Sequence, residues 1–224
     1  MSGARIVLVT GTDTGVGKTV VAAALARTLV ARGLRVVAVK PVESGCAVPP
    51  GEGEDGVVLA RATGQAEPVA ALDRLRAPLA PPLAAEREGV VLDVDSWRAR
   101  IEDLAQRADI VLVEGAGGLL SPLTWELTAL DLARDLGAAA LVVAADRLGT
   151  ISHARLVLGA LRAAGIPVLG VIFSAPCAPD DSTGTNAAAL ARVEPGTRIA
   201  SLPRLAGPGE ADRHLAEVDS WILA

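Results

Sequence analysis

The sequence predicts an α/β fold of three layers, in which a mostly parallel central sheet is flanked by helices. Short apolar runs rich in Val, Ile and Leu alternate along the chain with longer segments rich in Ala and Leu. The apolar runs are continuous and do not alternate with polar residues, which is typical of strands buried on both faces. Glycine follows several of the longer segments, as it does at helix ends. Strands that alternate with helices in this way pair in parallel through right-handed crossovers.

The individual elements follow from these local patterns. Apolar runs predict strands at Ile6–Val9, Val36–Val39, Ile110–Val113, Ala140–Ala144, Val168–Phe173 and Arg198–Leu202. The longer segments predict helices at Lys18–Arg32, Val57–Ala62, Val94–Arg107, Leu127–Leu136, Ile151–Ala164, Asn186–Val193 and Gly209–Leu223. A loop rich in Gly, Pro and acidic residues is expected at Gly45–Gly56, and a rigid extended segment at Pro78–Pro82. Asp146 follows the fourth strand and is expected to cap the next helix.

Length and composition limit the classes of function. A chain of 224 residues suits a single domain, which we expect to span residues 1–224. The scarcity of aromatic residues, with three Trp, one Phe and no Tyr, argues against a base-stacking surface. A net charge of −5 without a basic cluster argues against a nucleic-acid partner. The longest apolar run, Leu136–Ala145, is too short to cross a bilayer, so we expect no membrane partner and a cytoplasmic location. Cys46 and Cys177 are expected to be free thiols.

A phosphate-binding loop is the strongest motif in the chain. The segment Gly11–Thr19, which is Gly-Thr-Asp-Thr-Gly-Val-Gly-Lys-Thr, follows a predicted strand and opens a predicted helix, as a P-loop does. Its glycines allow backbone N–H groups to face phosphate oxygens, Lys18 supplies positive charge to the β- and γ-phosphates, and the Thr19 hydroxyl can bind Mg²⁺. The first glycine stands one residue earlier than in the standard loop. The alternative is a glycine-rich turn before an ordinary helix. We predict a P-loop NTPase fold that binds a nucleoside triphosphate.

Further polar residues follow the neighbouring strands, at the sheet edge where ligands bind in such folds. Lys40 ends the second strand and could reach the same phosphates, or could be a solvated lysine. Glu114 ends the third strand, where many P-loop enzymes hold Mg²⁺. Asp55 could complete the Mg²⁺ ligands, or could belong to a solvated acidic loop. Since Lys18 and Lys40 are expected outside the core, replacing either by Ala should abolish turnover with little loss of fold.

Together, these motifs resemble those of the dethiobiotin synthetase family. Gly11–Thr19 matches that family's Gly-Thr-Asp-Thr-x-Val-Gly-Lys-Thr, including the extra residue. Lys40-Pro-Val-x-Ser-Gly and Val113-Glu-Gly-Ala-Gly-Gly match its second and third motifs. Leu148–His153 is similar to a fourth motif, and Leu202-Pro203 to a fifth. The resemblance covers the chain from the first strand to roughly residue 205.

The resemblance implies a reaction and a set of site residues. 7,8-Diaminononanoate, CO₂ and ATP would give a cyclic urea through a phosphorylated carbamate, with Mg²⁺, in a homodimer with sites at the interface. The implied catalytic residues are Lys40, Lys18 and Thr14, and the implied metal ligands are Thr19, Asp55 and Glu114. The implied nucleotide contacts are Thr14, Gly15, Val16, Gly17, Lys18, Thr19, Asp55, Glu114, Gly115, Ala116, Gly117, Ser174, Pro203, Arg204 and Leu205. The implied substrate contacts are Ser44, Lys40 and Gly118, with Leu148, Gly149, Ile151 and Ser152 from the neighbouring subunit.

Three positions depart from the family pattern. Many members have Glu where this chain has Gly15, and Asn where it has Ser152. Many also have Asn, which contacts adenine, where this chain has Ser174. ATP, CTP and other nucleoside triphosphates therefore all stay open as co-substrates.

Two other functions also stay open on sequence grounds. One is an ATP switch of the partitioning class, which shares the fold but carries a signature lysine where this chain has Asp13. The other is an ATP-dependent amide-forming ligase on the same fold. The separate motif with Lys40 and Ser44 favours the urea-forming enzyme.

Overall fold

A six-stranded sheet with the strand order β2-β5-β1-β6-β7-β8 forms the centre of the structure, a computed structural model that describes residues 3–205 and 210–224. Every neighbouring pair in this sheet is parallel. A smaller parallel pair, β3 and β4, lies apart from it. The strands are β1 Arg5–Gly11, β2 Val36–Val39, β3 Val42–Ser44, β4 Asp73–Leu75, β5 Ile110–Glu114, β6 Ala139–Ala145, β7 Val168–Ser174 and β8 Ile199–Leu202.

Helices connect the strands of the sheet and cover both of its faces. Their bounds are α1 Lys18–Ala31, α2 Asp55–Thr63, α3 Pro81–Glu88, α4 Val94–Ala105, α5 Ala129–Asp135, α6 Thr150–Ala163, α7 Asn186–Val193, α8 Ala211–His214 and α9 Val218–Leu223. Successive side chains of a strand point to opposite faces, so β1 contributes to two separate apolar clusters. Leu8 packs in the cluster of α4, α5 and α6, whereas Val7 and Val9 pack with α1, α8 and α9. The predicted three-layer P-loop NTPase fold is confirmed.

The predicted strands are all present, but the segment between β2 and α4 is more ordered than its composition indicates. Strands β3 and β4 and helix α3 were not predicted. The prediction of an extended segment at Pro78–Pro82 is wrong at its end, because Pro81 and Pro82 open α3. Proline is tolerated there, since the first turn of a helix does not use its N–H groups. The predicted loop Gly45–Gly56 also ends early, because α2 begins at Asp55.

Asp146 does not cap the helix that follows it, so that prediction is wrong. The cap position of α6 is Gly149, which has no side chain. The Asp146 carboxylate accepts hydrogen bonds from the backbone N–H of Gly184 at 2.8 Å and from Nδ2 of Asn186 at 2.7 Å. Asp146 therefore fastens the turn that precedes α7, a contact across distant parts of the chain that no local pattern indicates.

The end of the chain forms two short helices where one long helix was predicted. Gly209, the predicted start of that helix, lies outside the described residues, and α8 and α9 are separated by a turn at 215–217. In the described ranges, none of the helices combines the length and apolarity that a membrane span requires. Cys46 and Cys177 are both free thiols, as predicted.

Gly170 shows how closely the last helix packs on the sheet. A Cβ atom at Gly170 would lie 2.4 Å from a ring carbon of Trp221 and 2.8 Å from the Arg198 carbonyl oxygen. We expect Gly170→Ala to lower the free energy of unfolding by about 1–3 kcal/mol, since overpacking forces neighbours apart. Chemical denaturation measures the loss.

Gly159→Ala is the matched control for this prediction. Gly159 lies in α6 with no atom within 4 Å of an added Cβ. The same substitution there is expected to stabilise the helix by up to about 1 kcal/mol. Equal effects of the two substitutions would contradict the packing of α9 against β7.

Candidate active site

A crevice of about 880 Å³ opens at the carboxyl edge of the sheet. It is lined by many of the residues that sequence motifs single out: Thr14, Gly15, Gly17, Lys18, Thr19, Lys40, Ser44, Asp55, Glu114, Ala116, Gly117 and Leu205. It is also lined by residues to which the sequence assigns no role: Val20, Ala23, Arg27, Glu43, Gly53 and Val58. The parallel topology explains why these residues lie together, since the carboxyl ends of β1, β2 and β5 all face this side.

The phosphate loop has the backbone that its glycines predict. Gly15 has φ 72° and Gly17 has φ 93°, a left-handed conformation that residues with a Cβ rarely adopt. A Cβ on Gly17 would also lie only 2.8 Å from the Ser174 Oγ. Gly17 is therefore required both for the turn into α1 and for the approach of β7. Val16 is buried beneath the loop.

Lys18 lies at the first residue of α1 and points back over the loop. Its Nζ donates to the Asp13 carbonyl oxygen at 3.1 Å. The side chain is nearly buried, and burial, followed by the positive charge of Lys40, lowers the pKa of Lys18. A cation that is poorly solvated and next to a second cation is well placed to bind an anion.

Lys40 lies at the centre of a polar cluster. Its Nζ donates to Glu114 Oε1 at 2.6 Å, to Asp55 Oδ2 at 2.7 Å and to the Gly115 carbonyl oxygen at 3.3 Å. The Thr19 hydroxyl lies 2.7 Å from Asp55 Oδ1 and 3.0 Å from Glu114 Oε1. With a single proton, that hydroxyl donates to only one carboxylate at a time. The four side chains come from α1, the end of β2, α2 and β5.

Burial and charge set the protonation of this cluster. Burial lowers the pKa of Lys40, but the negative charges of Glu114 and Asp55 outweigh it and hold that pKa well above its usual value. Burial raises the pKa of Glu114. Burial also acts to raise the pKa of Asp55, but the charge of Lys40 leaves it below its usual value. Lys40 is therefore a cation paired with Asp55 as an anion.

The expectation that both lysines lie outside the core is wrong. The residues Lys18 and Lys40 are 6% and 3% exposed. Sequence reasoning places the ends of strands at a solvated edge, but here α1, α2 and the glycine turn after β5 cover that edge. The consequences of removing each lysine differ, because only Lys40 is paired with a buried carboxylate.

The donor atoms of the cluster suit a divalent cation. Thr19, Asp55 and Glu114 contribute a hydroxyl and carboxylate oxygens, which are the ligands that Mg²⁺ prefers. The Glu114 Oε2 atom is buried and has no hydrogen-bond partner. An orphaned buried carboxylate oxygen is costly unless a cation or a donor satisfies it. The residues present therefore fit a magnesium ion.

The glycine turn after β5 lies against the phosphate loop. The Leu119 N–H donates to the Gly11 carbonyl oxygen at 3.1 Å. A Cβ on Gly118 would lie 3.4 Å from the carbonyl oxygens of Gly11 and Thr12. Gly117 has φ 69°, and its Cβ would meet the Ser121 hydroxyl at 2.5 Å. This turn needs glycine for close approach of two backbones.

Some residues singled out in the sequence do not line the crevice. Arg204 donates to the Cys177 carbonyl oxygen at 2.6 Å, and Pro203 is exposed beside it. The segment from Leu148 to Ser152 opens α6, with Gly149 at the cap and Ile151 partly buried. The Leu148 side chain is 81% exposed.

A carboxylate beside the crevice fastens the loop that precedes α2. Glu54 accepts hydrogen bonds from Arg74 at 2.8 Å and from the backbone N–H groups of Ala47 at 2.9 Å and Gly51 at 2.8 Å. Arg74 and these N–H groups lower the pKa of Glu54 to about 2. The loop that the sequence presents as acidic and solvated is thereby tied to β4.

The unfolding free energy should depend on pH through Glu54. Because folding lowers its pKa from 4.5 to about 2, its ionised form stabilises the fold above pH 4.5, and this contribution is lost as the pH falls through 2. The difference in unfolding free energy between the natural chain and Glu54→Gln should be largest near neutral pH and should shrink as the pH falls from 4.5 through about 2. Glu52→Gln, at an exposed ion pair with Arg61, is the control and should change little at any pH. A difference for Glu54→Gln that is constant with pH would contradict this account.

Comparisons with known proteins agree with this geometry. The model of a family described as "AAA domain" matches residues 5–210. The ATP-dependent dethiobiotin synthetase BioD of Anaeromyxobacter sp. (strain Fw109-5) is 44% identical over 94% of this chain and 95% of its own length. The proteins of the same name from Caulobacter sp. (strain K31) and Mycobacterium bovis (strain ATCC BAA-935 / AF2122/97) are 44% and 42% identical, each over 88% of this chain and 86% of their own.

Solved structures of lower identity share the fold. The cell division ATPase MinD of Pyrococcus furiosus is similar with a TM-score of 0.61 and 20% identity, over 99% of this chain and 100% of that one. The septum site-determining protein MinD of Pyrococcus horikoshii OT3, solved with Mg-ADP, gives a TM-score of 0.58 and 19% identity, over 98% and 93%. At such identity the likeness extends to the architecture alone.

Proposed function

The chain belongs to the ATP-dependent dethiobiotin synthetases, and from this we propose that its crevice converts 7,8-diaminononanoate, CO₂ and a nucleoside triphosphate into dethiobiotin. It is an ATP-dependent ligase. The convergence of Thr19, Lys40, Asp55 and Glu114 beside the phosphate loop carries the proposal. A crevice that holds two lysines and a cluster of oxygen ligands suits a reaction between two anions. A switch of the partitioning class would carry its second lysine within the phosphate loop, where this chain has Asp13.

The reaction consists of three bond-forming steps. One amine of the substrate adds to CO₂ and loses a proton, which gives a carbamate. A carbamate oxygen attacks the γ-phosphorus, and the nucleoside diphosphate leaves. The second amine then attacks the carbonyl carbon and loses a proton, so that the ring closes as a cyclic urea and inorganic phosphate departs. Because an anion attacks an anion in the second step, charge neutralisation and alignment matter more than acid or base catalysis.

The position of each side chain in the crevice indicates its role in binding the substrates or in neutralising their charge. Lys18 binds the β- and γ-phosphates at the start of α1, and Lys40 neutralises charge between carbamate and γ-phosphate. Thr14 and Ser44, both on the crevice wall, contact the reacting end of the diamine. Mg²⁺, held by Thr19, Asp55 and Glu114, would supply further charge neutralisation on the triphosphate. The backbones of 115–118 approach nucleotide and substrate.

The remaining contacts and the assembly are also proposals. Ser174, Pro203, Arg204 and Leu205 surround the nucleoside. The segment from Leu148 to Ser152, in which Leu148, Gly149 and Ser152 are exposed, binds the tail carboxylate of a substrate molecule that is held mainly by a second subunit. The working form is then a homodimer of single-domain chains, each residues 1–224, and it acts in the cytoplasm. The exposure of Leu148, at the start of α6, supports the interface.

Phosphate release tests the proposed function. The purified chain is given Mg²⁺, bicarbonate and ATP, with and without 7,8-diaminononanoate, and the series is repeated with CTP and GTP. We expect phosphate release that depends on the diamine, and the nucleotide series gives the base preference. Release that is indifferent to the diamine with every nucleotide would contradict the proposal and would favour an ATP switch or a different ligase.

A further inference from the structure

Glu43 holds the start of α2, a role that no motif indicates. Its Oε1 accepts the backbone N–H of Asp55 at 2.6 Å, and its Oε2 accepts that of Gly56 at 2.9 Å. These are the first two residues of the helix, whose N–H groups have no partner within the helix itself. A carboxylate that accepts both also complements the positive end of the helix dipole.

The usual capping residue cannot perform this task here. Glu54 occupies the cap position of α2, but its side chain makes no capping hydrogen bond. Its carboxylate is used by Arg74 and by the loop that precedes the helix. The first N–H groups of α2 therefore depend on Glu43, which comes from β3.

Close packing fixes the same helix start from another side. A Cβ on Gly56 would lie 2.1 Å from the backbone nitrogen of Ala71 and 2.5 Å from the Ala70 carbonyl carbon. Gly56 thus allows α2 to lie directly on that backbone. With Glu43 holding the N–H groups and residues 70–71 in contact with Gly56, the first turn of α2 has little freedom.

The consequence reaches the metal-ligand cluster through Asp55. The carboxylate of Asp55 contacts Thr19 and Lys40, while its backbone N–H is held by Glu43. Asp55 is therefore held at both its side chain and its backbone. Lys40, which follows β2, contacts the side chain, and Glu43, in β3, accepts the backbone N–H. Without Glu43, the backbone anchor is lost and only the side-chain contacts orient Asp55.

We propose that Glu43 is a positioning residue that fixes the Asp55 carboxylate for binding a divalent cation with Thr19 and Glu114. This inference rests on the proposed function, in which those three residues hold Mg²⁺. Glu43 acts through the backbone of Asp55 and α2, so its effect should concern cation affinity more than nucleotide affinity. Partners of this kind typically change metal affinity by about 10- to 100-fold.

Cation binding in Glu43→Gln tests the proposal. Glutamine keeps the size of the side chain but replaces one acceptor oxygen by an NH₂ group, which cannot accept the second N–H. Mn²⁺ binding is measured by electron paramagnetic resonance in the presence of adenylyl imidodiphosphate. We expect Glu43→Gln to weaken Mn²⁺ binding by about 10-fold or more, with little change in the affinity of the analogue measured without the cation.

Glu54→Gln is the matched control. It removes a carboxylate from the adjacent loop and should destabilise the fold, but it leaves the hydrogen bonds to Asp55 and Gly56 intact. We expect it to bind Mn²⁺ as the natural chain does. If Glu43→Gln and Glu54→Gln weaken Mn²⁺ binding equally, loosening of the loop explains the effect and the positioning role is overturned.

Asp55→Asn separates failure of this inference from failure of the proposed function. If Asp55→Asn weakens Mn²⁺ binding and Glu43→Gln does not, the positioning role of Glu43 is overturned and the metal site stands. If Asp55→Asn binds Mn²⁺ as the natural chain does, the metal site itself is overturned, and the inference with it. Hydrogen exchange without any cation gives a second readout. Glutamine can still accept one of the two hydrogen bonds, so at least one of the Asp55 and Gly56 N–H groups should exchange at least 10-fold faster in Glu43→Gln. Unchanged protection would contradict the proposal.

Discussion

Lys40→Ala is expected to lower turnover by about 10²- to 10³-fold, the usual cost of removing one group that stabilises developing charge. The Nζ of Lys40 lies in the crevice between the two carboxylates and beside the turn after β5, where we propose that the carbamate meets the γ-phosphate. Steady-state phosphate release with saturating diamine measures the loss. Turnover close to that of the natural chain would remove Lys40 from the mechanism.

The same substitution is expected to destabilise the fold, in contrast to the expectation from sequence. It leaves Glu114, which is 1% exposed, without its cation, and breaking a buried pair in this way costs up to about 3–5 kcal/mol. Burial already raises the pKa of Glu114, so in Lys40→Ala this carboxyl should bind a proton and lose its charge. The native state then binds more protons than the unfolded chain, so the unfolding free energy of Lys40→Ala should rise as the pH falls.

A double variant separates catalysis from stability. Lys40→Met with Glu114→Gln removes both charges while it keeps the side-chain volumes, so we expect much of the unfolding free energy to return. Turnover should stay low, because the lysine and a proposed metal ligand are both lost. Recovery of turnover along with stability would show that Lys40 acts only by keeping the fold intact.

Lys18→Ala is expected to lower turnover by about 10²- to 10³-fold as well, and also to weaken nucleotide binding. Lys18 faces the phosphate loop, where the β- and γ-phosphates are proposed to bind. The Nζ of Lys18 donates to the Asp13 carbonyl oxygen, and burial lowers the pKa of this lysine. Removing the lysine therefore removes a desolvated cation but leaves no buried carboxylate without its ion-pair partner. The fold should therefore tolerate Lys18→Ala better than Lys40→Ala.

Nucleotide titration and thermal denaturation check both parts of this prediction. Arg107→Ala is a matched control, since it removes a cation from an exposed ion pair with Asp103 at the end of α4, before β5 and thus at the opposite edge of the sheet. It should leave nucleotide binding and turnover unchanged. Unaltered nucleotide affinity in Lys18→Ala would contradict the placement of the phosphates.

The nucleotide end of the site could be predicted from sequence because its determinants are local. The phosphate loop needs glycine at Gly15 and Gly17 for its left-handed backbone, and a lysine and threonine at the start of α1. Parallel topology then places the ends of β2 and β5 beside the loop. Lys40 and Glu114 could thus be assigned to one crevice without coordinates.

The contacts that hold the site in place could not be predicted from sequence, because they join segments that are distant along the chain. Glu43 holds α2 only because β3 passes beneath its first turn, and Asp146 fastens a turn nearly forty residues away. Strands β3 and β4 have three residues each, too few for a periodic pattern. The burial of Lys40 likewise depends on how α1 and α2 close over the sheet edge.

The proposed synthetase activity is tested most directly by following the carbon of CO₂. The purified chain is incubated with ATP, Mg²⁺, 7,8-diaminononanoate and carbon-13-labelled bicarbonate, and the product mass is compared with the phosphate released. We predict dethiobiotin with one labelled carbon, formed in a one-to-one ratio with phosphate. Phosphate release without a labelled cyclic urea would contradict the assignment.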